Sequence, residues 1–323
     1  MFKNFIFFLQ KENHDITIIS REKDVTTHLL EHYGIGHFSI SSPGIGFMGL
    51  LRELFIRNKE LVKLHKKEKF NLAFGTSVSI AHLTAFTNVK SYNFHEDDDS
   101  VVPLQSILIY PFTSKIINPD CVKINGWRKK RVFHKSYHEL AYLHPNNFVP
   151  DPKIPGKYGL ERRKYVLVRL SALKAHHDHK KVGISDSFYQ RIKKVIKNYL
   201  IVESSESANV HSFEPWDIHD LISFSKMVIS DSQTTTAEAA ILGVPSIRYN
   251  LFVGRLSYLE ELEKKYMLTY GFTPGQENQM ITKIRELLLN PHVEEEWRLK
   301  RNLMLSEKTD LNEWMINYFH SLI

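Results

Sequence analysis

One cysteine, Cys121, is all that 323 residues contain. That excludes an internal disulfide and fits a reducing compartment. Long apolar runs are missing too. None approaches the roughly 18 residues needed to cross a bilayer, so the chain is expected to be soluble, with the cytoplasm as its default location. Internal repeats and low-complexity segments are absent. Also lacking is the strand with a glycine-rich turn that ordinarily opens a doubly wound domain. Phe2, Phe5, Ile6, Phe8 and Leu9 fall instead at helical spacing, which gives the expectation that the first strand of the N-terminal domain is missing. A secretory signal is disfavoured, because Lys11-Glu12 follow this stretch without a small-residue cleavage site.

What is present is ordinary for a globular chain: 42% hydrophobic and 24% charged residues. The length exceeds the usual limit of one core, so two domains are expected. Phe148-Val149-Pro150-Asp151-Pro152 reads as the linker. It sets an N-terminal domain at 1–150 and a C-terminal domain at 151–323, with the last helix packing back on the first domain. A formal charge of +7 and a pI near 9.2 raise the question of nucleic acid. The basic residues are scattered, however, along helices such as 191–197, a pattern typical of a solvated face, so no nucleic-acid partner is expected. The basicity favours phosphate-bearing substrates and an anionic membrane surface.

The most informative stretch runs from Val228 to Arg248. Val228-Ile229 suit a buried parallel strand. Asp231 to Thr236 follow with five hydroxyl or carboxylate side chains and one amide, the residue types that cap a helix. A helix-forming run starts at Ala237, and Gly243-Val244-Pro245 ends it. A helix N-terminus at the carboxyl end of a sheet offers free N–H donors and the positive end of a dipole, so an anionic ligand fits best. The bland alternative is a well-capped helix and nothing more. Glu238, placed on the first turn by this reading, argues for a ligand, since a carboxylate there complements the dipole or reaches what the terminus holds.

Four other stretches carry candidate chemistry. Met48, Leu51, Leu54, Phe55, Leu61 and Leu64 give a long amphipathic helix with an apolar and a basic stripe, the latter read as a solvated face in preference to a membrane contact. Gly75-Thr76-Ser77 is a second helix start beyond a strand, assigned to the acceptor. His95-Glu96-Asp97-Asp98-Asp99 places four carboxylates beside an imidazole after another strand, where His95, Glu96 or Asp97 could serve as general base. Ala175-His176-His177-Asp178-His179 follows the strand Lys164–Leu170. Adjacent histidines coordinate one ion poorly, so no metal is assigned; His176 and His177 are read as groups that protonate or neutralise a leaving phosphate. Arg169, at the end of the same strand, joins the donor-binding set.

Asp231-Ser232, four further residues, Ala237-Glu238-Ala239 and then Leu242-Gly243-Val244-Pro245 resemble the donor-site motif of glycosyltransferase-B-fold enzymes and non-hydrolysing UDP-N-acetylglucosamine 2-epimerases. With Gly75 to His82, Glu96 to Asp99, His138 to Pro145 and Ala175 to Asp178, the likeness extends over nearly the whole chain, to an uncharacterised glycosyltransferase-B-like family related to those epimerases. The resemblance implies an α/β protein of two Rossmann-like domains facing a cleft, 1–150 on the acceptor side and 151–323 binding the nucleotide-sugar. It implies that Ser232, Gln233, Thr234 and Thr235 hold the diphosphate of a UDP-sugar and that Glu238 holds the ribose. Gln233-Thr234 stand where such families have a glycine pair, a departure that bears on how closely backbone can approach phosphate. The function implied is a nucleotide-sugar-dependent glycosyltransferase of cell-surface polysaccharide or glycoconjugate synthesis. Its acceptor would be a sugar or a lipid-linked sugar at the inner membrane face, with no cofactor beyond the donor. A sugar-nucleotide 2-epimerase or a non-catalytic homologue is the alternative.

Overall fold

The computed structural model describes residues 1–22, 25–42, 44–170, 183–205 and 213–323. The chain divides into two compact units, one formed by Met1–His138 with Leu311–Ile323 and the other by Glu139–Asp310.

In the first unit, β1 (Ile19–Ser20) and β2 (Phe38–Ser39) form a short parallel pair. The main sheet is parallel and takes its strands in chain order: β3 (Leu72–Gly75), β4 (Lys90–Phe94), β5 (Lys115–Pro119) and β6 (Arg131–His134). The inner strands β4 and β5 are buried along most of their length, as a sheet covered on both faces requires. One face is covered by the helix Val78–Phe86, whose Ala81 packs with Ile109, Tyr110 and Ile116. A second cluster joins Leu61, Leu83 and Val89 to Ile19 and Ile40. The first helix, Lys3–Lys11, meets the last, Leu311–His320: the Phe319 ring lies 5.9 Å from Phe5 and 6.2 Å from Phe74. The C-terminal helices are Val293–Glu307 and Leu311–His320, with a break at 308–310.

The second unit holds one five-stranded parallel sheet built from β7 (Tyr165–Leu170), β8 (Leu200–Ser205), β9 (Met227–Ser230), β10 (Ser246–Tyr249) and β11 (Thr269–Phe272). The strand order is β8-β7-β9-β10-β11. The chain steps outward from β7 to β8 and then crosses back to β9 on the other side. Such a reversal leaves a crevice at the carboxyl ends of the two central strands, where doubly wound sheets bind ligands. Arg169 of β7 and Ser230 of β9 stand opposite each other at that point.

Candidate functional site

The reversal point in the second unit is built from main chain before any side chain is needed. Ser230 donates its hydroxyl to the Arg169 carbonyl at 2.7 Å and accepts the Ser232 N–H at 2.9 Å. Asn250, beyond β10, donates to the Asp231 carbonyl at 2.9 Å. The turn 230–232 is thereby fixed against the neighbouring strands on either side of β9, β7 and β10. Ser232 then caps the helix Gln233–Ile241, its Oγ accepting the Thr235 N–H at 3.5 Å.

The helix therefore begins at Gln233, not Ala237. The threonines are drawn into its first turn, and Thr236 donates back to the Ser232 carbonyl at 2.8 Å, which satisfies a hydroxyl that would otherwise compete with the helix. Glu238 in consequence lies on the second turn. Among the residues expected to hold a diphosphate, Thr235 is buried, Ser232 and Gln233 are half-buried and Thr234 is exposed. The N–H groups of the first helical turn have no partner within the helix and point out of its end.

Glu238 is engaged inside the unit. Its Oε1 accepts from Tyr142 Oη at 3.0 Å and lies 2.9 Å from His219 Nε2. Burial works to raise this carboxyl, but the charge and hydrogen bond of His219, the Tyr142 hydroxyl and the charge of Arg169 outweigh it and hold Glu238 below the ordinary carboxylate value. Arg169 also donates to Ser204 Oγ at 3.4 Å. The fold thus gathers Arg169, Ser232 and Glu238 at one end of one sheet. Tyr142 and His219 belong to the same group and were given no role from the sequence, although Tyr142 lies in the family-like stretch His138 to Pro145. Tyr142 is 96 residues from its partner, and His219 sits in a helix whose pattern reads only as packing.

In the first unit the run 95–99 is mostly structural. Asp99 accepts from Tyr110 Oη at 2.7 Å, from the Asn125 N–H at 2.6 Å and from Arg131 at 2.5 Å. Asp98 accepts the Lys123 N–H at 2.6 Å, and Glu96 accepts the His138 N–H at 2.7 Å. These carboxylates tie the loop after β4 to the loop that follows β5, to the first residue of β6 and to the segment beyond that strand. Burial first, with Arg131 adding and Asp99 opposing, pulls the His95 imidazole down to about 4, so it is neutral at pH 7. Its ring stands edge-on to Tyr110 at 5.3 Å. Asp97 is half-buried, and burial together with neighbouring Asp98 lifts its carboxyl above the ordinary value. At the other proposed acceptor element, the helix Val78–Phe86 starts after Ser77, whose carbonyl accepts from Asn93 at 2.9 Å. His176 and His177 lie outside the described residues. Among the described residues, no three His, Cys, Asp or Glu side chains are grouped to hold a metal.

No protein-family model and no curated protein sequence matches this chain. Solved structures do resemble it along its length. The S. aureus MnaA structure with UDP superimposes with a TM-score of 0.69 at 13% identity, over 100% of this chain and 93% of that one. The spinosyn forosaminyltransferase SpnP gives 0.65 at 12%, over 99% and 94%. The Methanocaldococcus jannaschii UDP-GlcNAc 2-epimerase, in complex with UDP-GlcNAc and UDP, gives 0.63 at 13%, over 94% and 95%. At such identities the likeness establishes the fold: two Rossmann-like units of the kind found in glycosyltransferase-B enzymes and 2-epimerases.

Proposed function

We propose that a chain with this fold is a nucleotide-sugar-dependent glycosyltransferase of cell-surface polysaccharide or glycoconjugate synthesis, using a UDP-sugar donor. The observation that carries the reading is the coincidence, at the reversal point of the second sheet, of a Ser-capped helix N-terminus with Arg169 and Glu238. Two negative charges of a diphosphate match the exposed N–H groups at Gln233 and Thr234, the helix dipole and the Arg169 guanidinium. The Ser232 hydroxyl is already committed to the cap, so its part in binding is to fix the terminus. Glu238, kept ionised, accepts from the ribose hydroxyls.

In this reading the acceptor is a sugar or a lipid-linked sugar. For the acceptor-side base we put forward Asp97, because burial brings its carboxyl toward the range useful for proton transfer. His95 and Glu96 then support it by holding the loop, and His176 and His177 offset the charge on the departing nucleotide. A 2-epimerase is the second reading, favoured by the epimerases among the similar structures; a non-catalytic homologue is the third.

Calorimetry with UDP, followed by turnover of UDP-N-acetylglucosamine with and without acceptors, tests the proposal. Binding of UDP that weakens by roughly 10- to 100-fold in Glu238→Ala, equivalent to one charged hydrogen bond, supports the donor site. Turnover only with an acceptor identifies a transferase, and product without one identifies an epimerase. Equal UDP affinity in both proteins would remove Glu238 from the site.

A further inference from the structure

The helix Gly46–Glu68 of the first unit is 23 residues long, about 35 Å at 1.5 Å per residue. Only Glu53 and Leu61 along it are buried. At 100° per residue Leu54 and Leu64 share their inward arc. The expected apolar stripe is therefore split, because Met48, Leu51 and Phe55 face outward. Exposure is 74% for Met48, 71% for Phe55, 68% for Phe47 and 95% for Ile45 just before the helix. A helix facing only water would carry polar residues on that arc. Here the first half of the outward arc is aromatic and aliphatic, and the second half continues with Lys59, Lys63 and Lys66, all exposed.

The entry to this helix is pinned. Buried Glu53 accepts from Gly44 N–H at 2.9 Å, Ser41 Oγ at 3.1 Å and Arg21 Nη2 at 2.7 Å. Gly44 lies so close over the first turn that a Cβ there would come within 2.3 Å of the Gly49 carbonyl oxygen. Ile45 and Phe47 are thus held outward by a built loop.

We propose that this outward face docks on a membrane surface bearing anionic phospholipid headgroups. Ile45, Phe47, Met48 and Phe55 enter the acyl boundary while Arg52, Lys59, Lys63 and Lys66 lie among the headgroups. Charge selects this occupant over a second copy of the chain. The helix has six Lys or Arg against three Glu, one of them the buried Glu53, so self-association would bring like charge against like. No described helix is long and apolar enough to cross a membrane, and the contact is a surface one. It stands independently of the donor chemistry, while suiting a lipid-linked acceptor.

Co-sedimentation of the full chain with vesicles of equal parts phosphatidylglycerol and phosphatidylcholine, against phosphatidylcholine alone, provides the test. The expected result is binding to the anionic vesicles that falls steeply with salt. Phe47→Ser with Phe55→Ser should weaken it by at least tenfold. Charge reversal of Lys59, Lys63 and Lys66 to Glu should weaken it by roughly two orders of magnitude. UDP calorimetry and circular dichroism on each variant separate loss of docking from loss of fold or donor binding. Absence of vesicle binding by the unaltered chain, or binding that both variants retain, overturns the proposal. So does a dimer that either variant converts to monomer without any vesicle affinity.

Discussion

Tyr142 and His219 both address the same oxygen of Glu238, at 3.0 and 2.9 Å. An ionised carboxylate only accepts, so His219 Nε2 carries the proton in this contact. With both partners on Oε1, Oε2 is the atom left for a ribose hydroxyl under the proposed donor binding. The pair thus aims a carboxylate and keeps it charged.

Replacing His219 by Phe should therefore raise the Glu238 carboxyl. In the unaltered chain this group is held below its ordinary 4.5, so its contribution to stability is complete above about that pH and is lost as pH falls through the folded value. The variant should lose UDP affinity at higher pH than the parent and show a shallower acid dependence of unfolding. Calorimetry and urea titration across about pH 4 to 8 would reveal both, and coincident profiles would assign His219 to packing alone.

Asp99→Asn should destabilise the first unit by about 3 kcal/mol or more, because it leaves the buried Arg131 guanidinium short of its counter-charge. Arg131 keeps its bond to Asn118 at 2.7 Å, so local rearrangement is small. The expected signature is a lower urea midpoint for that unit with unchanged UDP affinity. A loss below about 0.5 kcal/mol would mean that the pair is no firmer than a surface one.

Gly243→Ala should cost about 1–2 kcal/mol. Gly243 ends the helix Gln233–Ile241 at φ +74°, and a Cβ there would lie 2.7 Å from Arg301 Cδ. Arg301 Nε caps the Ile241 carbonyl at 2.7 Å, so the methyl disturbs both the left-handed turn and the cap. Thermal unfolding reads the loss, and a neutral result would show that Arg301 swings aside freely.

How far the sequence was legible depends on the reach of each interaction. The inner strands β7 and β9 are buried and read as apolar runs, and Ser77 with Gly75 marks the helix after β3. The start of the helix Gln233–Ile241 was misread by one turn. The propensity of Ala237-Glu238-Ala239 outweighed Thr234-Thr235-Thr236 in that reading, whereas the Ser232 cap and the Thr236 back-bond bring the threonines in. Asp98 and Asp99 looked like part of a catalytic run because Lys123, Asn125 and Arg131, which they hold, are 25 to 32 residues away. Period alone could not tell that Met48 and Phe55 face out, since an outward apolar stripe has the same spacing as an inward one.

The pairing of the first and last helices sets an order on the making of the molecule. The second unit is one uninterrupted stretch, Glu139–Asp310, whereas the first needs Leu311–Ile323 to close over Phe5 and Phe74. A ribosome delivers Phe319 after the whole of Glu139–Asp310. The second unit has all its own residues before the first does, and until then the side of the first sheet that Phe319 covers stays bare, an apolar face open to wrong partners.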